Sequence, residues 1–334
     1  MILTRTPYRV SLFGGGSDYP AWFQQHGGCV LGFAINRYCY ISVRHLPPFF
    51  DHKHRIVYSF IENVKEIAEI KHPAVREVLT QMGIREGLEI HHDGDLPARS
   101  GLGSSSSFTV GLLHALHAFA GRHRSQRELA DEAIHMEQDI IKENVGSQDQ
   151  IWAAYGGFNR IKFRCDGSYE VAPVILRPDR RHHLQSHFML LFTGVSRYAS
   201  EIAAQQIANF DRHIRHIHRM MSMVNEAAGI LGGINRDIRE IGELLHETWM
   251  LKRELADNIS TLEVDDIYKT ARAAGAIGGK LLGAGGGGFI LLFVEPSKRC
   301  AVRQALGKLI EVDFKIEGSG SRVVVYEPNG FDQV

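Results

Sequence analysis

Leu96–Ser107 reads LPARSGLGSSSS and runs directly into the apolar-periodic segment FTVGLLHALHAF. Gly101 and Gly103 carry no Cβ, so the backbone there can turn tightly and approach a ligand closely. Phe108, Leu112, Ala115, Leu116 and Phe119 recur at helical spacing, which starts a helix among the serines. The pattern predicts a serine cap, with a hydroxyl oxygen accepting from an orphan N–H. Exposed N–H groups, the positive end of the helix dipole and several hydroxyls then converge on one point. That is the chemistry of a phosphate site. Alone, the stretch also fits a plain glycine–serine turn before a capped helix, so other segments have to decide.

Two more glycine clusters lie at strand–helix junctions: Leu12–Tyr19 (LFGGGSDY) and Gly279–Phe289 (GKLLGAGGGGF). The second contains a formal GxGxxG at Gly283, Gly285 and Gly288. A strand follows it where a dinucleotide fingerprint requires a helix, and Lys280 is followed by Leu281 rather than Ser or Thr. Neither a Rossmann nor a Walker A reading holds. Four consecutive glycines, Gly285–Gly288, inside a strand-flanked segment fit close approach of backbone to ligand as well as a simple flexible loop.

Phosphoryl transfer needs positioning, charge neutralisation and a group that orients or deprotonates the attacking hydroxyl. Asp149, in VGSQDQI (145–151), stands just after a helical pattern and suits that last role. Glu137, one helix earlier, suits Mg²⁺, which takes one or two carboxylates together with phosphate oxygens. Each acid taken alone reads first as a solvated surface residue or a cap. Asp18 is a candidate acceptor for substrate hydroxyls, or else the N-cap of a helix beginning at Pro20. Arg9 sits in an apolar alternation, where a guanidinium pairs with a carboxylate or phosphate unless the strand face is exposed.

Lys plus Arg and Asp plus Glu both number 38 in the 334 residues, so no global basic field points to nucleic acid. A phosphorylated ligand therefore has to be met by a local cluster of cations. Cys29, Cys39, Cys165 and Cys300 are scattered without a CxxC pair, as expected of thiols in a reducing compartment. No apolar run reaches membrane-spanning length and MILTRTPYRV lacks a signal-peptide core. The expectation is a cytoplasmic protein, monomer or homodimer, with small-molecule ligands and no nucleic-acid or membrane partner.

Along the chain, residues 1–13, 29–43, 55–60, 88–92 and 158–164 read as strands, with helices near 74–82, 105–120 and 126–143. After a seam at 173–186, a strand at 188–193 leads into long helical patterns at 196–229, 234–255 and 261–274. A glycine-dense stretch (278–288), a buried strand (289–294) and a helix (297–309) follow. Glu311–Glu317 and Arg322–Tyr326 read as a terminal hairpin turned at Gly318-Ser319-Gly320, completing a ferredoxin-like half.

Taken together, RTPYRVSLFGGGSDY (5–19), PARSGLGSSSS (97–107) and KLLGAGGGGF (280–289), in that order with GSQDQ between the last two, resemble the GHMP kinase superfamily. The resemblance covers essentially the whole chain. It implies an α+β fold of two domains, an N-terminal one like domain 2 of ribosomal protein S5 (1–180) and a ferredoxin-like C-terminal one (181–334). It also implies ATP and Mg²⁺ as cofactors. Pro97, Gly101, Leu102, Gly103 and Ser104–Ser107 (Ser104, Ser105, Ser106, Ser107) would hold the ATP phosphates. Asp149 matches the catalytic aspartate, as base or as orienting group, and Arg9 its partner cation. Glu137 matches the Mg²⁺ glutamate, with a serine of the run, taken as Ser105, beside it. Gly15, Gly16, Ser17 and Asp18, with Gly285, Gly286 and Gly287, would face the acceptor.

Galactokinases carry an acidic–His–Thr–Asp–Tyr sequence where this chain has GGSDY. FGGGSDYP with GSQDQ and GAGGGGF looks most like the heptose 7-phosphate kinases of the superfamily, with the fucokinase type close by. That branch implies phosphorylation of an anomeric C1 hydroxyl, for nucleotide-activated heptose and surface polysaccharide. An unphosphorylated hexose such as fucose, or a non-catalytic sugar or nucleotide sensor on the same fold, are the alternatives. A sugar already bearing phosphate needs further cations, for which Arg197 in TGVSRY and Lys252 or Arg253 in LKREL are candidates.

Overall fold

The computed structural model describes residues 1–194, 199–233 and 235–328. Its first half is organised by the 18-residue strand Gly28–His45, which pairs antiparallel along its length with Ile2–Phe13. The register of that pair shifts between Pro7 and Tyr8, immediately before Arg9. A proline has no N–H to give the ladder, so an irregularity there is expected. On its other edge the long strand is shared. Gly28–Phe33 pairs with Phe158–Phe163, and Cys39–His45 pairs with Leu88–Gly94. His54–Val57 then lies parallel to Leu88–Gly94 and forms a hairpin with Ile61–Val64.

The helix Ser104–Phe119 crosses this sheet with residues buried on nearly every side, as suits the run Phe108–Phe119, whose apolar residues are broken only by Thr109, His114 and His117. Close approach depends on Gly111, where a Cβ would stand 2.9 Å from Thr6 Oγ1, and Thr4 Oγ1 donates to the Gly111 carbonyl at 2.9 Å. Gln126–His135 continues into a π-helical turn, Met136–Ile140, and Gln148–Tyr155 packs beside Gln126–His135 and Ser104–Phe119.

The second sheet runs Ile310–Glu311, Phe188–Phe192, Phe289–Val294, Ala276–Leu281, all antiparallel. In chain order this is 4-1-3-2, the ferredoxin-like arrangement. Ala276–Leu281 lies partly within the stretch read from sequence as glycine-dense loop. Its glycines serve packing: a Cβ on Gly278 would fall 1.8 Å from the Gly242 carbonyl oxygen of helix Arg239–Glu254.

The expected terminal hairpin is not formed. Ile316–Glu317 pairs with the long strand and Arg322–Tyr326 with the first strand, so both return to the first sheet. Gly320 and Gly156 are there for close passage: a Cβ on either would meet backbone of the other segment at 2.0 Å. The ferredoxin-like fourth strand is Ile310–Glu311 instead.

Candidate active site

Arg9 projects from the first strand and Asp149 from the first turn of Gln148–Tyr155. Arg9 Nε donates to Asp149 Oδ1 at 2.7 Å and Nη2 to Oδ2 at 2.6 Å, a bidentate pair. Its remaining nitrogen, Nη1, donates to the Gly101 carbonyl at 2.5 Å, and the Arg9 N–H donates to the Leu102 carbonyl at 3.1 Å. The guanidinium thus joins the acid to the glycine–serine loop. The Asp149 side chain keeps 24 % exposure against 6 % for Arg9, which leaves the carboxylate open to a reactant.

The loop itself is built for close approach. Gly101 and Gly103 have φ of 84° and 72°. A Cβ on Gly101 would lie 2.5 Å from the Leu282 carbonyl, and one on Gly103 3.1 Å from Arg9 Cγ. Gly103, not a serine, occupies the N-cap, and no side chain caps the helix. The serine-cap expectation is corrected, and the helix N-terminus has no side-chain acceptor of its own, as an anion site requires.

The four serines divide sharply. Ser104 Oγ accepts from the Arg99 N–H at 3.1 Å, and Ser105 is exposed on the outer face. Ser106 Oγ donates to Glu137 Oε2 at 2.8 Å, while Ser107 Oγ donates to the Pro7 carbonyl at 2.9 Å. The hydroxyl beside the glutamate is therefore Ser106 rather than Ser105. Pro97 is exposed at the start of the loop.

Glu137 lies in the π-helical turn, a device that often re-aims a functional side chain. It is 1 % exposed, and Oε2 also accepts from Gln150 Nε2. Among the described residues Oε1 has no hydrogen-bond partner. Burial pushes the carboxyl up to about 7, against the lowering effect of bonds from Thr109, Ser106 and Gln150. A buried carboxylate with an orphaned oxygen and a hydroxyl alongside fits a divalent cation, whose charge would offset that desolvation.

Asp18 is 1 % exposed. It accepts from the Gly16 N–H at 3.0 Å and from Gln148 Nε2 at 2.7 Å. Burial pushes it up to about 6, and the neighbouring Asp149 charge adds to the shift. Tyr19 rather than Asp18 is the N-cap of the helix that follows. Gly146 is a glycine for this carboxylate's sake, since a Cβ there would fall 1.8 Å from Asp18 Oδ2. Gly15 is partly exposed in the loop, whereas Ser17 is fully buried, its hydroxyl donating to Gly14 O at 2.7 Å. Ser17 shapes the loop from behind.

Gly285, Gly286 and Gly287 have φ of 133°, 78° and 152°, a run that L side chains rarely adopt. Their loop packs on the second one: the Phe289 N–H donates to the Ser100 carbonyl at 3.0 Å, and a Cβ on Gly288 would lie 2.3 Å from that oxygen. Lys252, a candidate cation for a sugar's phosphate, is not open to a ligand. Its amine is buried and donates to the carbonyls of Leu281 (3.1 Å) and Gly283. Arg253 pairs with Asp265 at 2.7 Å, and Arg197 lies outside the described residues.

Sequence reading missed Gln148 and Gln150, which flank Asp149 and bond the other two acids of the site. It also missed an aromatic group at the helix Ser104–Phe119. His72 stacks on Phe108 with ring centroids 4.6 Å apart, and Tyr58 and His92 meet those rings edge-on at 4.9 and 5.1 Å. Burial, with His92 adding, lowers His72 to about 4, so the ring is neutral near pH 7.

Three glycine loops, a carboxylate–guanidinium pair and a buried glutamate beside a helix N-terminus define a phosphotransferase that delivers phosphoryl from ATP to an alcohol. The family model for the GHMP kinases N terminal domain matches residues 64–157, and that for the GHMP kinases C terminal matches 226–311; the chain belongs to the GHMP kinases. It is 28% identical over 331 residues to the D-glycero-alpha-D-manno-heptose 7-phosphate kinase of Campylobacter jejuni, covering 95% of this chain and 97% of that one. It is 26% identical to the bifunctional fucokinase/GDP-fucose pyrophosphorylase of Arabidopsis thaliana, over 93% of this chain but 31% of that larger protein. Among solved structures, a D-glycero-D-manno-heptose 1-phosphate kinase from Bacteroides thetaiotaomicron superposes with a TM-score of 0.79 at 23% identity, covering 98% of this chain and 100% of that one.

Proposed function

We propose that this kinase phosphorylates the anomeric C1 hydroxyl of D-glycero-D-manno-heptose 7-phosphate, giving the 1,7-bisphosphate. The observation that carries the reading is near full-length similarity to a heptose 7-phosphate kinase, joined to a buried carboxylate, Asp18, at the loop beside Asp149. Asp18, held by Gly16 and Gln148, accepts hydrogen bonds from hydroxyls of the sugar and sets its orientation. Asp149 orients the attacking hydroxyl and takes its proton as the new O–P bond forms and the bridging P–O bond to ADP breaks. Arg9 holds Asp149 in place and offsets the charge that develops on the transferred group. ATP lies with its phosphates on Gly101–Ser106 and its base on the neutral aromatic surface of His72, Phe108 and Tyr58. Glu137 and Ser106 would hold Mg²⁺, which supplies charge neutralisation on the phosphate oxygens. Arg197 remains the candidate cation for the distal phosphate.

An ADP-release assay over a panel of heptose 7-phosphate, free heptose, fucose and galactose tests the reading, with NMR of the product to locate the new phosphate. Turnover of heptose 7-phosphate far above the others, at C1, is the expected result. Preference for an unphosphorylated hexose overturns it and favours the fucokinase-like reading; ligand binding without ADP release points to a sensor.

A further inference from the structure

Two lysines meet behind the acceptor site, and neither has a part in the chemistry above. Lys280, in strand Ala276–Leu281, is 3 % exposed and donates to the carbonyls of Ser11 (3.0 Å) and Leu12 (3.1 Å). Those residues run into the Gly14–Asp18 loop of the other domain. Lys252 holds the carbonyls of Leu281 and Gly283, the start of the third glycine loop. Among the described residues no carboxylate is hydrogen-bonded to either amine. The charged groups facing the pair are Arg9, which repels both, Asp18, which attracts both, and the lysines themselves.

Burying an ammonium without a bonded counter-ion costs several kcal/mol, and apolar side chains of the same length would fill this space at no such cost. What an apolar chain cannot do is bond main-chain carbonyls on two loops from two domains. We propose that Lys280 and Lys252 are positioning residues: Lys280 ties the acceptor loop to the second domain, and Lys252 fixes the glycine loop next to it. Both act through the backbone and touch no reacting atom. The inference rests on the reading that Asp18 and its loop hold the acceptor. Burial pushes Lys280 down to about 7, with Arg9 adding and Asp18 opposing, and Lys252 well below the ordinary lysine range. The cationic form of Lys280 is the competent one.

The test uses whichever sugar the wild-type enzyme turns over, so an error in the heptose reading changes the sugar and not the comparison. Lys280→Met keeps the length and removes donors and charge. It is expected to raise KM for the acceptor about 10- to 100-fold, the loss of a charge-assisted hydrogen bond, while KM for ATP stays put. Wild-type kcat/KM for the acceptor falls above pH about 7, and that alkaline limb disappears in the variant. Lys252→Met moves the same KM in the same direction. Hydrogen exchange without any substrate should quicken at residues 11–18 and not in the helix 104–119. Equal changes in both KM values, or none, overturn the proposal. So does exchange that rises uniformly, or a wild-type profile flat through neutral pH, which needs no variant to measure.

Discussion

Asp18→Asn should make this protein more stable and a worse enzyme. The folded state lifts the Asp18 carboxyl from 3.8 to about 6, chiefly through burial. Between those values the folded protein holds a proton that the unfolded chain has released, so stability declines as pH rises through this window. Above pH about 6 the full deficit is present, and it amounts to about 3 kcal/mol for a shift of this size. An amide in the same place carries no charge to desolvate. Its oxygen keeps the bond from Gly16, and Gln148 can turn over, because Gln148 Oε1 has no partner among the described residues and would accept from the new NH₂. Urea titrations and thermal melts near pH 8 and near pH 4 are the assay. The variant should gain about 3 kcal/mol at the higher pH, roughly 5 °C in Tm, and nothing at the lower one. Its KM for the acceptor should rise with KM for ATP unchanged. A variant no more stable than wild type near pH 8, or equally stabilised at both values, refutes the argument from burial.

Asp149→Asn should lower kcat by about 10²- to 10⁴-fold, with ATP affinity measured by calorimetry nearly unchanged, since Arg9 and the loop backbone remain. Glu137→Gln should raise the Mg²⁺ concentration for half-maximal activity by about tenfold or more without loss of Tm; an unchanged Mg²⁺ titration removes Glu137 from the metal site. Gly101→Ala forces a side chain onto a φ of 84° and into the Leu282 carbonyl 2.5 Å away. It should cost about 1–3 kcal/mol in denaturant melts and raise KM for ATP.

Much of the site was legible because it is made of residues whose local chemistry is restrictive. Glycines at positive φ, serines before an apolar helix and an arginine in a strand each allow few structures, and the structure brings Arg9 to Asp149 and the three loops together. Which serine meets Glu137 depended on helical phase. With Gly103 as the cap, Ser106 and Thr109 lie one turn apart on the inner face, while Ser105 points outward. Lys252 did leave a trace: Leu245, Trp249 and Lys252 follow the i, i+4, i+7 spacing of the buried stripe. Its charge drew attention to the surface instead. The final strand could not be placed from its own residues. Gly318-Ser319-Gly320 has the composition of a hairpin turn, but Gly320 answers to Ala154 and Ser319 to Gly156, far away in the chain. Pairing partners are a property of the whole sheet.

That last strand carries a consequence for biosynthesis. Arg322–Tyr326 flanks Ile2–Phe13, so the strand bearing Arg9 has one neighbour made soon after it and one made only after the whole second sheet. While the ribosome is still producing the second domain, the first strand presents an open edge that any extended segment could occupy. Closure of the first sheet therefore waits until the second sheet has been made. Shortening the chain before residue 322 should yield aggregates or exchanged strands rather than a weakened kinase.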